Sequence, residues 1–335
     1  MIRSLVVAVV CGGPSTEAEV SRASARGVAD ALVQAGHRAV RLELDPYLPE
    51  SLRTGGFDVV FPAVHGAVGE DGCLQGLLEI LELPYVGADV LASAVAMQKP
   101  LARTLFAEAG LPVARGFRAR AGEAPARAFA ERALAEIGAR LVVKPAASGS
   151  AIGVARLDEG VSVDLVASAI EAAWAVDSAA LIEHFVRGKE VTCGVLDLHG
   201  AAGGAVAFPP TEISAPKDAF YTYEARYAPG RSEHTCPAAL PPKVLARVQD
   251  AAVRAHVALG VRDLSRVDFV VGDVGDPDRV ILLELNTLPG FTATSLYPEA
   301  AGIFGLAMPA LCDALARSAA SRGPSRRNAA KPLPR

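Results

Sequence analysis

The most constraining feature of this 335-residue chain is an apolar run that ends in two oxygen-bearing side chains. Residues 280–284 read Val-Ile-Leu-Leu-Glu, and Leu285 and Asn286 follow them. A run of branched apolar residues of this kind is typical of a buried β-strand. Because residues two apart on a strand point to the same face, Glu284 and Asn286 are predicted to point the same way.

A second predicted strand begins at Arg266 and carries Asp268. The connecting segment 273–278 is short and rich in Asp, Gly and Pro, so the two strands are predicted to pair as a hairpin. That pairing brings Asp268 toward Glu284 and Asn286. Two carboxylates and an amide oxygen suit Mg²⁺, which usually shares its ligand shell with water and phosphate. A polar sheet end without metal is the alternative, but bare carboxylates among apolar neighbours are costly to bury.

The segment 284–292, with Arg266 and Asp268 before it, resembles the metal-binding end of the ATP-grasp ligases, and most closely that of the D-alanine–D-alanine ligases. Further motifs in the same order extend the resemblance from Leu5 to about Ala316. It implies an α/β protein with the ATP-grasp fold. Such a protein has an N-terminal parallel, Rossmann-like α/β domain, a central ATP-grasp lid domain and a C-terminal α+β domain.

The predicted boundaries are 1–96 for the N-terminal substrate-binding domain, 97–190 for the central domain, 191–318 for the C-terminal metal-binding domain with a lid loop over 208–237, and 319–335 for a disordered tail. Alternating strand and helix patterns support the first of these domains. Its predicted strands lie near residues 4–10, 38–44 and 57–63. Further along the chain, helices are predicted near residues 160–175, 241–259 and 299–319.

Composition excludes several classes of protein. Half of the residues are apolar and the net charge is only −4, which argues against disorder, a nucleic-acid-binding face and a polybasic membrane patch. The apolar run 5–11 is too short to span a bilayer. The five cysteines are odd in number and have no metal-binding spacing, so we expect reduced thiols in a cytoplasmic protein.

Two loops after the N-terminal strands carry candidate substrate residues. Thr16 and Glu19 have the spacing of a capping box, which would open a helix with Glu17 in its first turn. His65 begins a loop with three glycines. From the residues alone, a helix-dipole role for Glu17 and a plain turn at His65 remain open. The resemblance assigns Glu17 to the ammonium group of the first D-alanine and His65 to the neighbourhood of its carboxylate.

A nucleotide site is predicted where a lysine ends a buried strand. Lys144 follows Leu-Val-Val, and the loop 146–153 after it is built of small residues whose N–H groups can surround phosphate oxygens. From the residues alone, the loop 146–153 could instead be a flexible hairpin. Lys99, a second candidate for the phosphates, could instead be a lysine on a surface helix. The resemblance assigns the nucleotide phosphates to Lys99, Lys144, Ser148, Gly149 and Ala151.

Residues 180–193 predict two strands joined by a turn near 187–188. The resemblance places the adenine at Glu183, the ribose at Glu190, and His184 and Val186 in the pocket wall, whereas solvent-facing strand charges are the alternative. The long, aromatic segment 208–237 predicts a lid rather than a passive connection. Within it the resemblance assigns Arg226, which stands where relatives have lysine, to the nucleotide, and Tyr227 to a link with Ser150 and Glu17.

The resemblance implies a reaction in which ATP phosphorylates the carboxylate of one D-alanine and the amine of a second displaces the phosphate. Arg266 and Gly290 would serve the reacting centre, and Ser295 and Leu296 would hold the second substrate. It also implies two Mg²⁺ ions, for which Mn²⁺ can substitute, and a homodimer. The alternatives are a ligase with another amine or a hydroxy-acid acceptor and, from a different class, a catalytically silent nucleotide-binding protein.

Overall fold

The computed structural model describes residues 3–149, 152–158, 160–214, 232–273 and 275–324. Its strands form three sheets, and helices pack on their faces. The strands are β1 Val6–Cys11, β2 Arg38–Glu43, β3 Val59–Pro62, β4 Gly116–Arg120, β5 Leu141–Pro145, β6 Ala155–Leu157, β7 Ala179–His184, β8 Lys189–Asp197, β9 Val206–Ala207, β10 Thr211–Ser214, β11 Glu233–Thr235, β12 Asp263–Val271 and β13 Val280–Asn286. The helices are α1 Ala18–Gln34, α2 Leu48–Thr54, α3 Cys73–Ile80, α4 Val90–Met97, α5 Lys99–Glu108, α6 Ala126–Glu136, α7 Val163–Trp174, α8 Pro242–Ala258, α9 Leu296–Ile303 and α10 Met308–Arg322.

The first sheet is parallel, with the strand order β2-β1-β3, and it confirms the three strands predicted near the N-terminus. Its central strand β1 is apolar and almost wholly buried, because helices cover both faces of a parallel sheet. The carboxyl ends of β1 and β3 lie side by side. They therefore bring the two loops with the predicted substrate residues to one edge of the sheet.

The capping box predicted at the start of α1 is wrong. The N-cap residue is Glu17, and no side chain caps the helix. Ser15 takes over the turn instead: its Oγ accepts a hydrogen bond from the Glu17 N–H at 3.1 Å and donates one to the His65 carbonyl at 2.7 Å. The start of α1 is thereby tied to the neighbouring loop rather than to its own third residue.

The second sheet is antiparallel, with the order β4-β7-β5-β6, and α6 and α7 pack together over it. It confirms the predicted strand that ends near Lys144, and α7 confirms the helix predicted near 160–175. The two strands around residues 187–188 belong to different sheets, since β7 lies in the second and β8 in the third. The connection between them therefore passes from one sheet to the other.

The third sheet has the order β11-β10-β8-β12-β13, with β9 paired to β8. The predicted hairpin is confirmed: β12 and β13 are antiparallel, Asp268 stands opposite Glu284, and Arg266 stands opposite Asn286. The helix predicted over 241–259 is α8, and it packs on the apolar face of this sheet. The sheet places the predicted metal ligands on two adjacent strands.

Two predictions near the C-terminal half need correction. The segment 208–237 is not structureless at its ends, because β10 and β11 pair there and Phe208 is fully buried. Residues 215–231, with Arg226 and Tyr227, lie outside the described residues. The single helix predicted over 299–319 is two helices, α9 and α10, which meet at 103°. The break contains Gly305, whose φ of 101° is incompatible with a continuing helix.

The predicted tail also begins later than residue 319, because α10 continues to Arg322 and Ala319 is buried. Residues 325–335 lie outside the described residues. Within the described ranges, no single helix is long and apolar enough to cross a membrane, although α9 and α10 together pass by length and composition. The predicted domain boundaries remain predictions.

The end of α10 is anchored by a buried ion pair. Asp263 is fully buried and accepts hydrogen bonds from Arg322 Nη1 at 2.6 Å and Nη2 at 2.7 Å, from the Gly87 N–H at 2.8 Å and from Ser318 Oγ at 3.1 Å. These bonds join the third sheet, the C-terminal helix and the connection between α3 and α4. The two bonds from Arg322 satisfy much of the hydrogen-bonding capacity of this fully buried carboxylate and balance its charge.

We therefore expect Arg322→Leu to lower the free energy of unfolding by about 3 kcal/mol, because it leaves the Asp263 carboxylate buried without its cation. Urea denaturation measures the change. Arg26→Leu, at an exposed arginine of α1, is the matched control and should cost little. Equal losses in the two variants would show that the buried Asp263–Arg322 ion pair contributes no more to the free energy of unfolding than an exposed arginine does.

Candidate active site

Two adjoining cavities lie where the three sheets meet. The larger has a volume of about 400 Å³ and the smaller about 160 Å³. Both are lined by Lys99, Ser148, Gly149 and Glu284, so these four residues form the junction between the cavities. Every predicted site residue that the structure describes lines at least one cavity, with the exception of Asp268.

Lys99 contacts both sides of the junction between the two cavities. It opens α5 directly after the break at Gln98, and its N–H donates to the Ala146 carbonyl at 2.9 Å. Its Nζ donates to the Ser148 carbonyl at 2.5 Å and lies 3.5 Å from Glu284 Oε2. The lysine thus joins the small-residue loop to the third sheet, and its ammonium group is directed to the place where the cavities meet.

Both oxygens of the Asp268 carboxylate accept hydrogen bonds. Its Oδ1 accepts from Thr192 Oγ1 at 2.6 Å and from Arg266 Nε at 2.9 Å. Its Oδ2 accepts from Arg266 Nη2 at 2.8 Å and from Asn286 Nδ2 at 3.2 Å. Thr192 is a residue that sequence reasoning missed. It lies on β8 opposite Asp268, so Thr192, Asp268 and Glu284 form one row across three strands.

The donor set meets the chemical requirements of a magnesium site that is completed by phosphate. Across the described ranges, no three His, Cys, Asp or Glu side chains are arranged to hold a metal ion. The set is instead two carboxylates and the Asn286 amide, which leaves most ligand positions to phosphate and water, as Mg²⁺ prefers. Asn286 donates to Asp268 through its Nδ2, so its Oδ1 is the atom of this amide that could ligate a cation.

The larger cavity collects the predicted substrate residues. Glu17, His65, Arg266, Gly290, Ser295 and Leu296 all line it. Glu17 is 7% exposed, and a β-carbon at Gly149 would stand 3.3 Å from its Oε2. A β-carbon at Gly290 would stand 2.7 Å from Ser295 Oγ, so only glycine leaves room for that hydroxyl. Ser295 is the N-cap residue of α9, and the N–H groups at the start of that helix favour a negatively charged ligand.

His65 is held from two sides by groups that sequence reasoning did not assign. Its Nε2 lies 3.3 Å from Ser24 Oγ, and its Nδ1 lies 3.8 Å from Glu70 Oε1. Glu70 Oε2 also accepts the N–H of Gly66 at 2.7 Å, which fixes the loop. Glu70 lies within the glycine-rich loop that begins at His65, and this position is the signal by which the sequence could have identified it.

The smaller cavity collects the predicted nucleotide residues. Lys144, Glu183, His184, Val186 and Glu190 line it. Lys144 Nζ lies 2.6 Å from Glu183 Oε1, and both side chains are buried. Glu183 is therefore the anionic partner of this buried lysine, and the roles of Lys144 at the phosphates and of Glu183 at the adenine stay predictions.

Sequence reasoning missed one wall of the smaller cavity. The Arg156 guanidinium stacks on the Phe185 ring, with its Cζ 4.0 Å from the ring centroid. Such stacking holds a planar cation against an aromatic face and gives a flat wall. Ser150 and Ala151, predicted in the adjacent loop, lie outside the described residues.

The pKa of His184 falls below its ordinary value, chiefly because burial penalises the charged imidazole and also because Arg140 lies nearby. A histidine whose pKa is lower in the folded state stabilises the fold fully above its unfolded pKa, near 6.5, and that stability is lost as the pH falls below it. We therefore expect a steeper loss of stability between about pH 8 and about pH 5.5 in the wild type than in His184→Gln. Urea denaturation at both pH values tests this, and equal slopes would contradict it.

Comparison with known proteins identifies the family. A family model described as "D-ala D-ala ligase C-terminus" matches residues 105–317, and one described as "D-ala D-ala ligase N-terminus" matches residues 48–88. A D-alanine–D-alanine ligase of Acidiphilium cryptum is 42% identical over 318 residues, which cover 94% of this chain and 99% of that protein. The chain belongs to the D-alanine–D-alanine ligase family.

Other members of the family are similar along their whole length. The D-alanine–D-alanine ligase of Desulforamulus reducens is 38% identical over 320 residues, which cover 94% of this chain and 99% of that protein. The ligase structure from Coxiella burnetii has a TM-score of 0.80 at 29% identity and covers 97% of this chain and 98% of its own. A Bacillus anthracis ligase complexed with ATP gives 0.79 at 26% identity, with 95% and 98% covered. The predicted ATP-grasp fold is thereby confirmed.

Proposed function

We propose that this member of the D-alanine–D-alanine ligase family joins two D-alanines and converts ATP to ADP and phosphate, as a step in making peptidoglycan precursors. The observation that supports this most strongly is the junction of two cavities at Lys99 and Glu284. A nucleotide in the smaller cavity would direct its terminal phosphate to this junction. An amino acid in the larger cavity would meet that phosphate from the other side.

In the first step, a carboxylate oxygen of one D-alanine attacks the γ-phosphorus, which gives an acyl phosphate and releases ADP. Glu17, at the wall of the larger cavity, is suited to bind the ammonium group of that D-alanine. Lys99 and Lys144 are suited to neutralise the phosphates, because both ammonium groups line the smaller cavity. Positioning and charge neutralisation account for most of the rate in such transfers.

In the second step, the amine of the other D-alanine attacks the acyl carbon, and phosphate leaves with the oxygen that had joined it to the carboxyl group. Arg266 is the cation suited to the charge that develops on the acyl oxygen, because it lines the larger cavity and its guanidinium is held by Asp268. Ser295 and Leu296 would receive the carboxylate of the attacking D-alanine, which is supported by their position at the start of α9 in the wall of the larger cavity.

We further propose that Asp268, Glu284 and Asn286 hold Mg²⁺, with two ions at work and Mn²⁺ able to replace them. When bound, the cation would neutralise phosphate charge and align the phosphates with the attacking oxygen. The carboxylates hold their positions through neighbours in this chain: Thr192 and Arg266 fix Asp268, and Lys99 lies beside Glu284.

A homodimer and a cytoplasmic location are also proposed. Ile80 at the end of α3 and Leu91 at the start of α4 are 81% and 71% exposed, and these two helices contact each other. Apolar surface that is shared by adjoining helices is a candidate interface, so this face is where we propose that two copies meet. Light scattering should give twice the mass of one chain, and Ile80→Glu should reduce it. A monomeric wild type would overturn the dimer.

The proposed reaction is tested by incubating the protein with ATP, Mg²⁺ and single or paired amino acids, and then measuring phosphate release and product masses. We expect D-alanyl-D-alanine and one phosphate per peptide, with little product from L-alanine. D-Alanyl-D-lactate formed as readily from D-lactate would indicate a hydroxy-acid acceptor instead. ATP binding without any ligation product would indicate a silent nucleotide-binding protein.

A further inference from the structure

Helix α1 contacts the loop that contains Gly290 through two small residues one turn apart. The N–H of Phe291 donates to Ser24 Oγ at 3.2 Å. A β-carbon at Gly27 would stand 2.8 Å from the carbonyl oxygen of the same Phe291. The helix therefore contacts both sides of this residue's backbone, although 267 positions separate Ser24 from it in the chain.

Ser24 also contacts the other substrate loop. Its Oγ lies 3.3 Å from His65 Nε2, and Ser24 is 1% exposed. Since the hydroxyl accepts the Phe291 N–H, its own hydrogen is available for the imidazole. One buried hydroxyl thus connects the His65 loop, proposed for the first D-alanine, with the Gly290 loop, proposed for the reacting centre.

We propose that Ser24 and Gly27 are positioning residues, which set the distance between the two substrate loops of the larger cavity. The inference rests on the proposed function and deepens it. Ser24 fixes the loop by a hydrogen bond, whereas Gly27 permits the close approach because it has no side chain. Neither residue is assigned contact with a substrate.

The chain offers a matched control for each position. Ser93 on α4 is also a fully buried helical serine, but its hydroxyl has no hydrogen-bond partner within the described part of the chain. Gly76 on α3 is a helical glycine whose β-carbon would meet nothing within 4 Å. Ser93→Ala and Gly76→Ala therefore repeat the chemical changes of Ser24→Ala and Gly27→Ala without the contacts to Phe291.

The first readout is hydrogen–deuterium exchange of peptides spanning residues 288–295. We expect faster exchange in Ser24→Ala, because the Phe291 amide loses its acceptor. We expect the same in Gly27→Ala, because the added methyl group must displace the Phe291 carbonyl and lengthen the bond to Ser24. Exchange in the two control variants should match the wild type.

The second readout separates positioning from a general loss of structure. In both test variants kcat/KM for D-alanine should fall by roughly tenfold, since small displacements of reacting groups are costly. The KM for ATP should stay within about twofold, because neither residue lines the smaller cavity. If Ser24→Ala does not fold, Gly27→Ala alone decides, because alanine suits a helix better than glycine.

The proposal is overturned if exchange of the 288–295 peptides is unchanged in the test variants, or if the controls show equal changes in exchange and in kcat/KM. It is also overturned if KM for ATP rises as much as KM for D-alanine. Failure of the proposed function has a different signature, because a wild type that makes no dipeptide would leave the exchange result intact.

Discussion

Glu284→Gln is expected to lower kcat by about 100-fold or more, because losing a proposed metal ligand should cost at least as much as losing a group that only orients one. Glu284 lies at the junction of the two cavities and next to Lys99. A neutral amide keeps the shape of the side chain but cannot balance a divalent cation among phosphates. Steady-state kinetics at several Mg²⁺ concentrations measures the effect.

Glu108→Gln is the matched control, because Glu108 is an exposed glutamate at the end of α5. We expect wild-type kinetics from it, and melting temperatures for both variants close to that of the wild type. Wild-type turnover in Glu284→Gln at ordinary Mg²⁺ would remove this residue from the metal site.

Lys144→Met is expected to damage both the fold and the nucleotide site. The Lys144–Glu183 pair is buried, so loss of the cation leaves an uncompensated carboxylate and should lower the free energy of unfolding by about 3–5 kcal/mol. The same ammonium group is proposed to meet the phosphates of ATP. Its loss should weaken ATP binding by roughly 10- to 100-fold, the worth of one charge-assisted hydrogen bond.

The double variant Lys144→Met/Glu183→Leu isolates the effect on the fold, because Glu183 also lines the smaller cavity and its loss is not expected to restore ATP binding. Replacing both members of a buried ion pair with apolar residues is often neutral for stability, so most of the lost free energy of unfolding should return. ATP affinity, measured by calorimetry, should stay low. An ATP affinity that recovers with stability would show that Lys144 acts on the fold alone.

The parts of the site that the sequence predicts are those formed by residues near one another in the chain. The β12–β13 hairpin has a short polar connection, which is enough to predict that Asp268 lies near Glu284 and Asn286, and the observed register sets Asp268 opposite Glu284. Lys144 is predicted to lie in the nucleotide site because an apolar strand directly precedes it and a small-residue loop directly follows it. In both cases the periodicity of a strand and the composition of a turn carry the information.

The parts that could not be predicted depend on pairings between distant segments. Thr192 reaches Asp268 across 76 positions, because β8 happens to be the other neighbour of β12. Ser24 contacts Phe291 only because α1 packs against a loop from the other half of the chain. No local pattern encodes either contact.

Very short strands and the exact start of a helix could not be predicted either. Strands β10 and β11 have four and three residues, too few for an alternation to be recognised, so the sequence predicts a loop at both ends of the 208–237 segment. At the start of α1, the capping-box spacing was present, but Ser15 bonds to the neighbouring loop and shifts the helix start to Ala18.

In the proposed reaction, a carboxylate in the larger cavity receives the phosphoryl group of a nucleotide in the smaller one. Incubating the protein with ATP and D-alanine labelled with ¹⁸O in its carboxyl group tests this most directly. We expect one ¹⁸O atom in each phosphate released, because the carboxylate oxygen that attacks the γ-phosphorus leaves with it. Dipeptide formation with ¹⁸O in AMP and none in the phosphate would contradict the claim.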